Sequence, residues 1–206
     1  NITDNDIPGI TIIESAGSTN ITEAGGSDSY TIVLNTQPSS DVTISFGVGT
    51  QVSAIGSLTF TNANWNTAQT VTVSAINDNV VEGAHTQNIT HTAISVDTNY
   101  NGISITNVTA NITDNDTAGV TITQSGTTDV TEDGATDSYT IVLNSQPTAD
   151  VTIAFNVGTQ VSAITSLTFT NANWNTAQTV TVTAVNDNVV EGAHTQSITH
   201  AATSTD

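Results

Sequence analysis

The sequence predicts an all-β chain of two tandem antiparallel sandwiches, the second without its last strand. Three observations lead there. Apolar residues alternate with period two almost throughout, as expected of strands with one buried face. The bulk is Thr, Ser, Asn, Val and Ile, residues that suit a pleated surface with one wet side. Long segments also occur twice. Residues 57–73 and 166–182 both read SLTFTNANWNTAQTVTV; NITDND at 1–6 returns at 111–116, SYTIVLN at 29–35 returns at 138–144, and NDNVVEGAHTQ at 77–87 returns at 186–196. The offset is 110 residues at the NITDND motifs and 109 from Glu23/Glu132 onward. A period of that size is a whole domain rather than a solenoid coil.

The strands follow in order from the alternation. In 29–35, Tyr30, Ile32 and Leu34 share one face; in 41–48 the set is Val42, Ile44, Phe46 and Val48; in 70–76 it is Val71, Val73 and Ala75. Strands are expected near 9–14, 20–23, 28–35, 41–48, 57–61, 68–76, 85–94 and 103–113. Turn chemistry separates them at Gly25-Gly26, Gln37-Pro38, 47–49 and 77–79. Seven or eight short strands in about 105 residues point to a β-sandwich, and no stretch shows a helical period. The domain reading is residues 1–8 as the tail of a preceding repeat plus linker, 9–113 as repeat one, 114–118 as an acidic linker and 119–206 as repeat two. Asp206 aligns with Asp97, so 98–116 has no counterpart in repeat two. The expected setting is a window cut from a longer array. A second account is strand donation between subunits, in which an exposed edge accepts a neighbour's strand.

Charge narrows the function. The chain has 206 residues, 19 acidic side chains and no Lys or Arg, for a net charge of −19. Nucleic-acid phosphates and anionic membranes would meet only repulsion, and no apolar run is long enough for a membrane-spanning helix. With no internal cation side chains, dissolved cations are the expected neutralisers. Cysteine is absent, so no disulfide staples the fold.

Trp65 and Trp174 each lie in an Asn-Trp-Asn loop and read as plugs closing a sandwich end, with sugar stacking as the sharper alternative. The paired histidines, His85/His91 and His194/His200, are six residues apart. On a strand they share a face at roughly 20 Å, too far for one metal, and they read as exposed strand residues. No Ser–His–Asp set is identifiable, and no Lys, Arg or Cys is present to act as electrophile or nucleophile. The expectation is a protein that is not an enzyme.

The carboxylates fall in recurring places. Asp78 and Glu82 sit in a turn, INDNVVEG, and recur as Asp187 and Glu191. Asp114 and Asp116 sit in TDNDTAG between the repeats, and Asp4 and Asp6 form the matching pair before repeat one. Glu23 lies just before Gly25-Gly26 and recurs as Glu132. Asp-Asn-Asp on an extended segment puts two carboxylates on one side, where they repel unless a cation bridges them. Carboxylates and Asn carbonyls suit Ca2+, which takes six to eight oxygens. A solvated acidic turn that caps its own backbone is the alternative.

The run LTFTNANWNTAQTVTVSAINDNVVEGAH, followed by DTNYNGISITNVTANITDND, resembles the Calx-β domain in the form repeated in large secreted bacterial proteins. The resemblance covers both repeats. It implies a seven-stranded antiparallel sandwich of immunoglobulin-like topology. It also implies calcium ligands from an early Glu, from the acidic turn after the fifth strand and from the acidic cluster ending the last strand. By motif these are Glu23, Asp78, Glu82, Asp114 and Asp116, with Glu132, Asp187 and Glu191 in repeat two. Asn77, Asn79 and Asn115 stand where calcium-binding members carry acidic runs. The expected function is a structural module of an extracellular fibre, stalk or adhesin, secreted or on the cell surface and rigidified by calcium. Its partners would be neighbouring repeats or copies of itself. The alternative is a module that recognises a surface glycan or a protein.

Overall fold

The computed structural model describes residue 3 and residues 5–206, which form two compact units. The first runs to Asp78 and resumes over Glu82–Asn115; the second comprises Asn79–Val81 and Asp116–Asp206. Apart from one 3-10 turn at Ser15–Gly17, all regular structure among the described residues is strand. No helix there is long and apolar enough to cross a membrane.

The first unit has eight strands: β1 (Ile10–Glu14), β2 (Thr19–Thr22), β3 (Ser27–Leu34), β4 (Val42–Gly47), β5 (Leu58–Phe60), β6 (Gln69–Ser74), β7 (His85–Ser95) and β8 (Val108–Thr113). They form two sheets, ordered β1-β3-β6 and β2-β8-β7-β4-β5. Tyr30, Ile32 and Leu34 of β3 and Val71 and Val73 of β6 meet Val42, Ile44, Ile89, Val108, Ala110 and Ile112 of the other sheet in one buried core. The alternating faces expected from the sequence supply that core. Trp65 packs at its edge, partly buried, and its carbonyl accepts the Leu34 N–H at 3.1 Å.

Among the described residues, every ladder between strands is antiparallel except one. β2 pairs parallel with β8, Ile21 opposite Ile112 and Thr22 opposite Thr113. The first extended segment switches sheets at the Ser15–Gly17 turn: β1 pairs with β3 in one sheet, and β2 continues beside β8 in the other. The alternation predicts both segments as strands, near 9–14 and 20–23, and eight in all; the family resemblance implies seven, and the unit has eight. β8 also begins later than the alternation suggested, at Val108 rather than residue 103, although Ile103 and Ile105 still pack against the core.

The second unit repeats six of these strands: β9 (Val120–Gln124), β10 (Asp137–Leu143), β11 (Val151–Asn156), β12 (Leu167–Phe169), β13 (Gln178–Val182) and β14 (Thr199–Thr203). Its sheets are β13-β10-β9 and β12-β11-β14. Among the described residues nothing stands in the place of β8, and two losses follow. Residues 128–131, which align with β2, form no strand, because their ladder partner is missing. β14 spans five residues where β7 spans eleven, because 85–89 of β7 are the residues that pair with β8.

Candidate metal centre

The parallel β2–β8 pair brings the carboxylates of the first unit together. The chain leaves both strands at the same end, so Glu23 and Asp114 emerge side by side, and the Glu23 N–H donates to the Thr113 carbonyl at 3.1 Å. β7 starts at that end, His85 opposite Ile112. The loop before it therefore delivers Asp78 and Glu82 to the same place. Three segments distant in sequence converge there.

Glu23 sits at the centre. It is only 4% exposed, and neither of its carboxylate oxygens has a hydrogen-bond partner. One of its oxygens lies within 4.8 Å of an oxygen of Asp78, and one lies within the same distance of an oxygen of Glu82 and a ring nitrogen of His85. Burial, and then the charges of Asp114, Asp78 and Glu82, raise its pKa above the ordinary glutamate value, with His85 opposing. Asp114 accepts the N–H groups of Glu82 and Gly83 on one oxygen, both at 2.7 Å. This clamp ties the loop to the end of β8. It requires Gly83 in the left-handed region, φ +67°, where a side chain is strained. Glu82 accepts Gln51 Nε2 at 2.6 Å.

Other carboxylates behave differently. Asp28 accepts the N–H groups of Asn20 and Ser29 at 2.8 and 2.7 Å, and a hydroxyl hydrogen bond from Ser15. Asp97, 7% exposed, accepts the N–H groups of Ser39 and Asn99 at 2.8 and 3.0 Å. Asp137 accepts those of Ser138 and Asp129. These bonds favour the ionised form and lower all three pKa values. In a chain without Lys or Arg, backbone N–H dipoles neutralise these groups. Glu23 has no such donor, and its shift has the opposite sign.

The second unit carries the same loop with fewer partners. Glu132, Asp187 and Glu191 each offer an oxygen, all within 4.8 Å of one another. Gln160 donates to Glu191 at 2.9 Å, as Gln51 does to Glu82. No Asp114 equivalent is present among the described residues, and Glu132 is half-buried where Glu23 is buried. Asp116 is half-buried and belongs to the second unit; Asp6 is exposed in the segment before β1; Asp4 lies outside the described residues.

The histidines divide in two. His85 Nδ1 donates to the Gly83 carbonyl at 2.9 Å, so in the neutral ring Nε2 holds the lone pair, 3.4 Å from Glu82. His85 therefore belongs to the cluster, which sequence reading missed. The signal was its place three residues after Glu82 in both repeats. His91 is half-buried rather than exposed: Nε2 meets the Tyr30 hydroxyl at 2.9 Å, and Tyr30 and Phe46 pack edge-on to the ring. Burial lowers its pKa, with the Thr106 backbone opposing.

Neither a family model nor a curated protein matches the sequence. Among solved structures the chain is similar to the calcium binding domain CBD12 of CALX1.1, with 16% identity over 86% of this chain and 76% of that one, TM-score 0.37. It is similar to the apo-form Calx CBD1 domain, with 18% identity over 52% of this chain and 98% of that one, TM-score 0.37. A two-domain protein with unknown function from Bacteroides fragilis NCTC 9343 gives 6% identity over 89% and 94%, TM-score 0.40.

Proposed function

We propose that this chain is a calcium-binding structural module, a stretch of tandem sandwiches in an extracellular fibre, stalk or adhesin. One observation carries the reading. Glu23 is a buried carboxylate whose two oxygens lack hydrogen-bond partners, ringed by Asp78, Glu82 and Asp114 in a chain without Lys or Arg. Burying such a charge unpaired is costly, and a cation that replaces its lost hydration removes the cost. The donor set is mostly carboxylate oxygen, which suits calcium. Glu23, Asp78, Glu82 and Asp114 would hold the ion in the first unit, with Asp116 two residues further along the segment. Glu132, Asp187 and Glu191 would hold one in the second, and Asp4 and Asp6 supply the same pair of carboxylates ahead of the first. Extracellular modules bind calcium in the range of about 0.1–1 mM, matching the ion's concentration outside cells.

The mechanical role follows from the short segment between β8 and β9. Only residues 114–119 separate the two strands, and reach grows with residue number. A cation on Asp114 and Asp116 would stiffen this segment, so that an array becomes a rod in calcium. The test compares interdomain distance distributions, from spin labels on β3 and β10, in millimolar calcium and in chelator. The proposal expects a narrow distribution in calcium and a broad one in chelator, with the D114N/D116N double variant broad in both. Identical distributions in all four samples overturn it.

A further inference from the structure

We infer that the first unit carries a nitrogen-containing metal subsite, built from His85 Nε2, Glu82 Oε2 and the Glu23 carboxylate, that takes zinc or a similar divalent transition metal. Ligand atoms of these three residues all lie within 4.8 Å of one another. The subsite shares Glu23 and Glu82 with the calcium reading, but it rests on the nitrogen of His85 and stands or falls without that reading.

His85 is oriented as a ligand. The Gly83 carbonyl can only accept, so Nδ1 carries the proton and donates to it at 2.9 Å. That leaves Nε2 as the coordinating atom. Nε2 is buried and makes no hydrogen bond, although Glu82 Oε2 is 3.4 Å away. Zinc bonds imidazole nitrogen and carboxylate oxygen at about 2.0–2.2 Å, so neighbouring ligands in a tetrahedral shell stand roughly 3.3–3.6 Å apart. The His85–Glu82 pair already has that spacing. Calcium takes oxygen ligands, whereas imidazole suits zinc, copper and nickel.

The surrounding bonds are those a metal-bound pair needs. Ligating histidines give their other N–H to a carbonyl or carboxylate, and ligating carboxylates are themselves hydrogen-bonded. Gly83 serves His85 in this way, and its own N–H is held by Asp114 at 2.7 Å. Gln51 donates to Glu82 Oε1 at 2.6 Å, which leaves Oε2 turned to His85. Glu23, 4% exposed with both oxygens lacking hydrogen-bond partners, supplies the buried third ligand, where an uncompensated charge is costly. His85 and Glu82 keep side-chain exposures of 20% and 28%, so an ion enters from solvent past them, and water completes a four-coordinate shell. The Glu-Gly-Ala-His segment itself sets the His–Glu arrangement. It recurs in the second unit, where His194 Nδ1 donates to the Gly192 carbonyl at 2.9 Å and Nε2 stands 3.6 Å from Glu191.

The experiment strips the whole chain with chelator and titrates it with zinc chloride and, separately, with calcium chloride. Trp65 fluorescence in a Trp174→Phe background reports melting of the first unit. The inference expects zinc to raise that melting temperature. His85→Gln should weaken zinc at least about tenfold and keep the calcium response, while Asp78→Asn should weaken calcium and keep zinc. Imidazole 15N spectra test the same point on unmutated side chains, whether or not His85→Gln folds. Zinc should shift His85 Nε2 and leave Nδ1 protonated, and calcium should not shift Nε2 in this way. Equal zinc affinity in wild type and His85→Gln, or an Nε2 resonance that zinc leaves in place, overturns the inference and assigns any bound zinc to carboxylates alone. A calcium response with no zinc response overturns the subsite and spares the calcium reading. A His85-dependent zinc response with no calcium response leaves the subsite standing and counts against the calcium reading.

Discussion

Replacing Glu23 by Gln should have opposite effects on stability with and without calcium. Oxygens of Asp78 and Glu82 lie within 4.8 Å of the Glu23 carboxylate. At an effective dielectric of about 20, two unit charges at that separation repel by roughly 3 kcal/mol. Physiological salt, with a Debye length of about 8 Å, reduces this to roughly 2 kcal/mol per pair. Glutamine keeps the shape and removes the charge. Its amide stays buried and recovers only part of the gain, so a net stabilisation of about 1–2 kcal/mol is expected in chelator. At about 4–8 °C per kcal/mol for a domain near this size, the variant should melt at least about 4 °C above wild type. In calcium at one hundred times Kd, wild type gains about 2.7 kcal/mol per site, or roughly 10–20 °C; the variant should gain little. A Trp174→Phe background leaves Trp65 as the one tryptophan, so fluorescence follows the first unit alone. The pH dependence has a matching sign. Glu23 has a folded pKa raised above 4.5, so between 4.5 and that pKa the native state binds more protons than the unfolded chain. In chelator, wild-type stability therefore rises as pH falls through that window, and the variant lacks the rise. A variant that melts below wild type in chelator, or that responds to calcium as wild type does, refutes the reasoning.

Other perturbations separate neighbouring roles. His85→Gln should leave the calcium response largely intact, because calcium prefers oxygen donors; a response to zinc that disappears with His85, and no response to calcium, would assign the cluster to a nitrogen-ligated metal. Asp97→Ala strands the N–H groups of Ser39 and Asn99 and should cost about 1–3 kcal/mol in calcium and chelator alike, read by denaturant midpoints. His91, whose folded pKa is lowered below 6.5 by burial, contributes stability that is complete above 6.5 and is lost as pH falls toward its folded pKa; His91→Gln should flatten that part of the first unit's stability profile. Gly83→Ala meets no atom within 4 Å but keeps φ at +67°, so about 1 kcal/mol of backbone strain should weaken the loop clamp and calcium affinity together.

Much of this was legible in the sequence. Period-two alternation names the inward residues, because a pleated strand turns successive side chains to opposite faces. Tyr30, Ile32, Leu34, Val42, Ile44, Val71 and Val73 are buried as that pattern requires. The repeat places the same loop twice, and total lack of Lys and Arg makes the carboxylates a problem the fold must solve. What composition could not do was sort them. Asp28, Asp97 and Glu23 look alike along the chain. Only the folded backbone turns N–H groups toward the first two and leaves the third buried without a donor. Nor does alternation specify which strands are neighbours. The switch of β1 to β2 between sheets, and hence the parallel pair that sets Glu23 beside Asp114, depends on contacts nearly a hundred residues apart. His85 joined the cluster for the same reason: a position on a strand says which face a residue takes, while ladder register decides what it meets there.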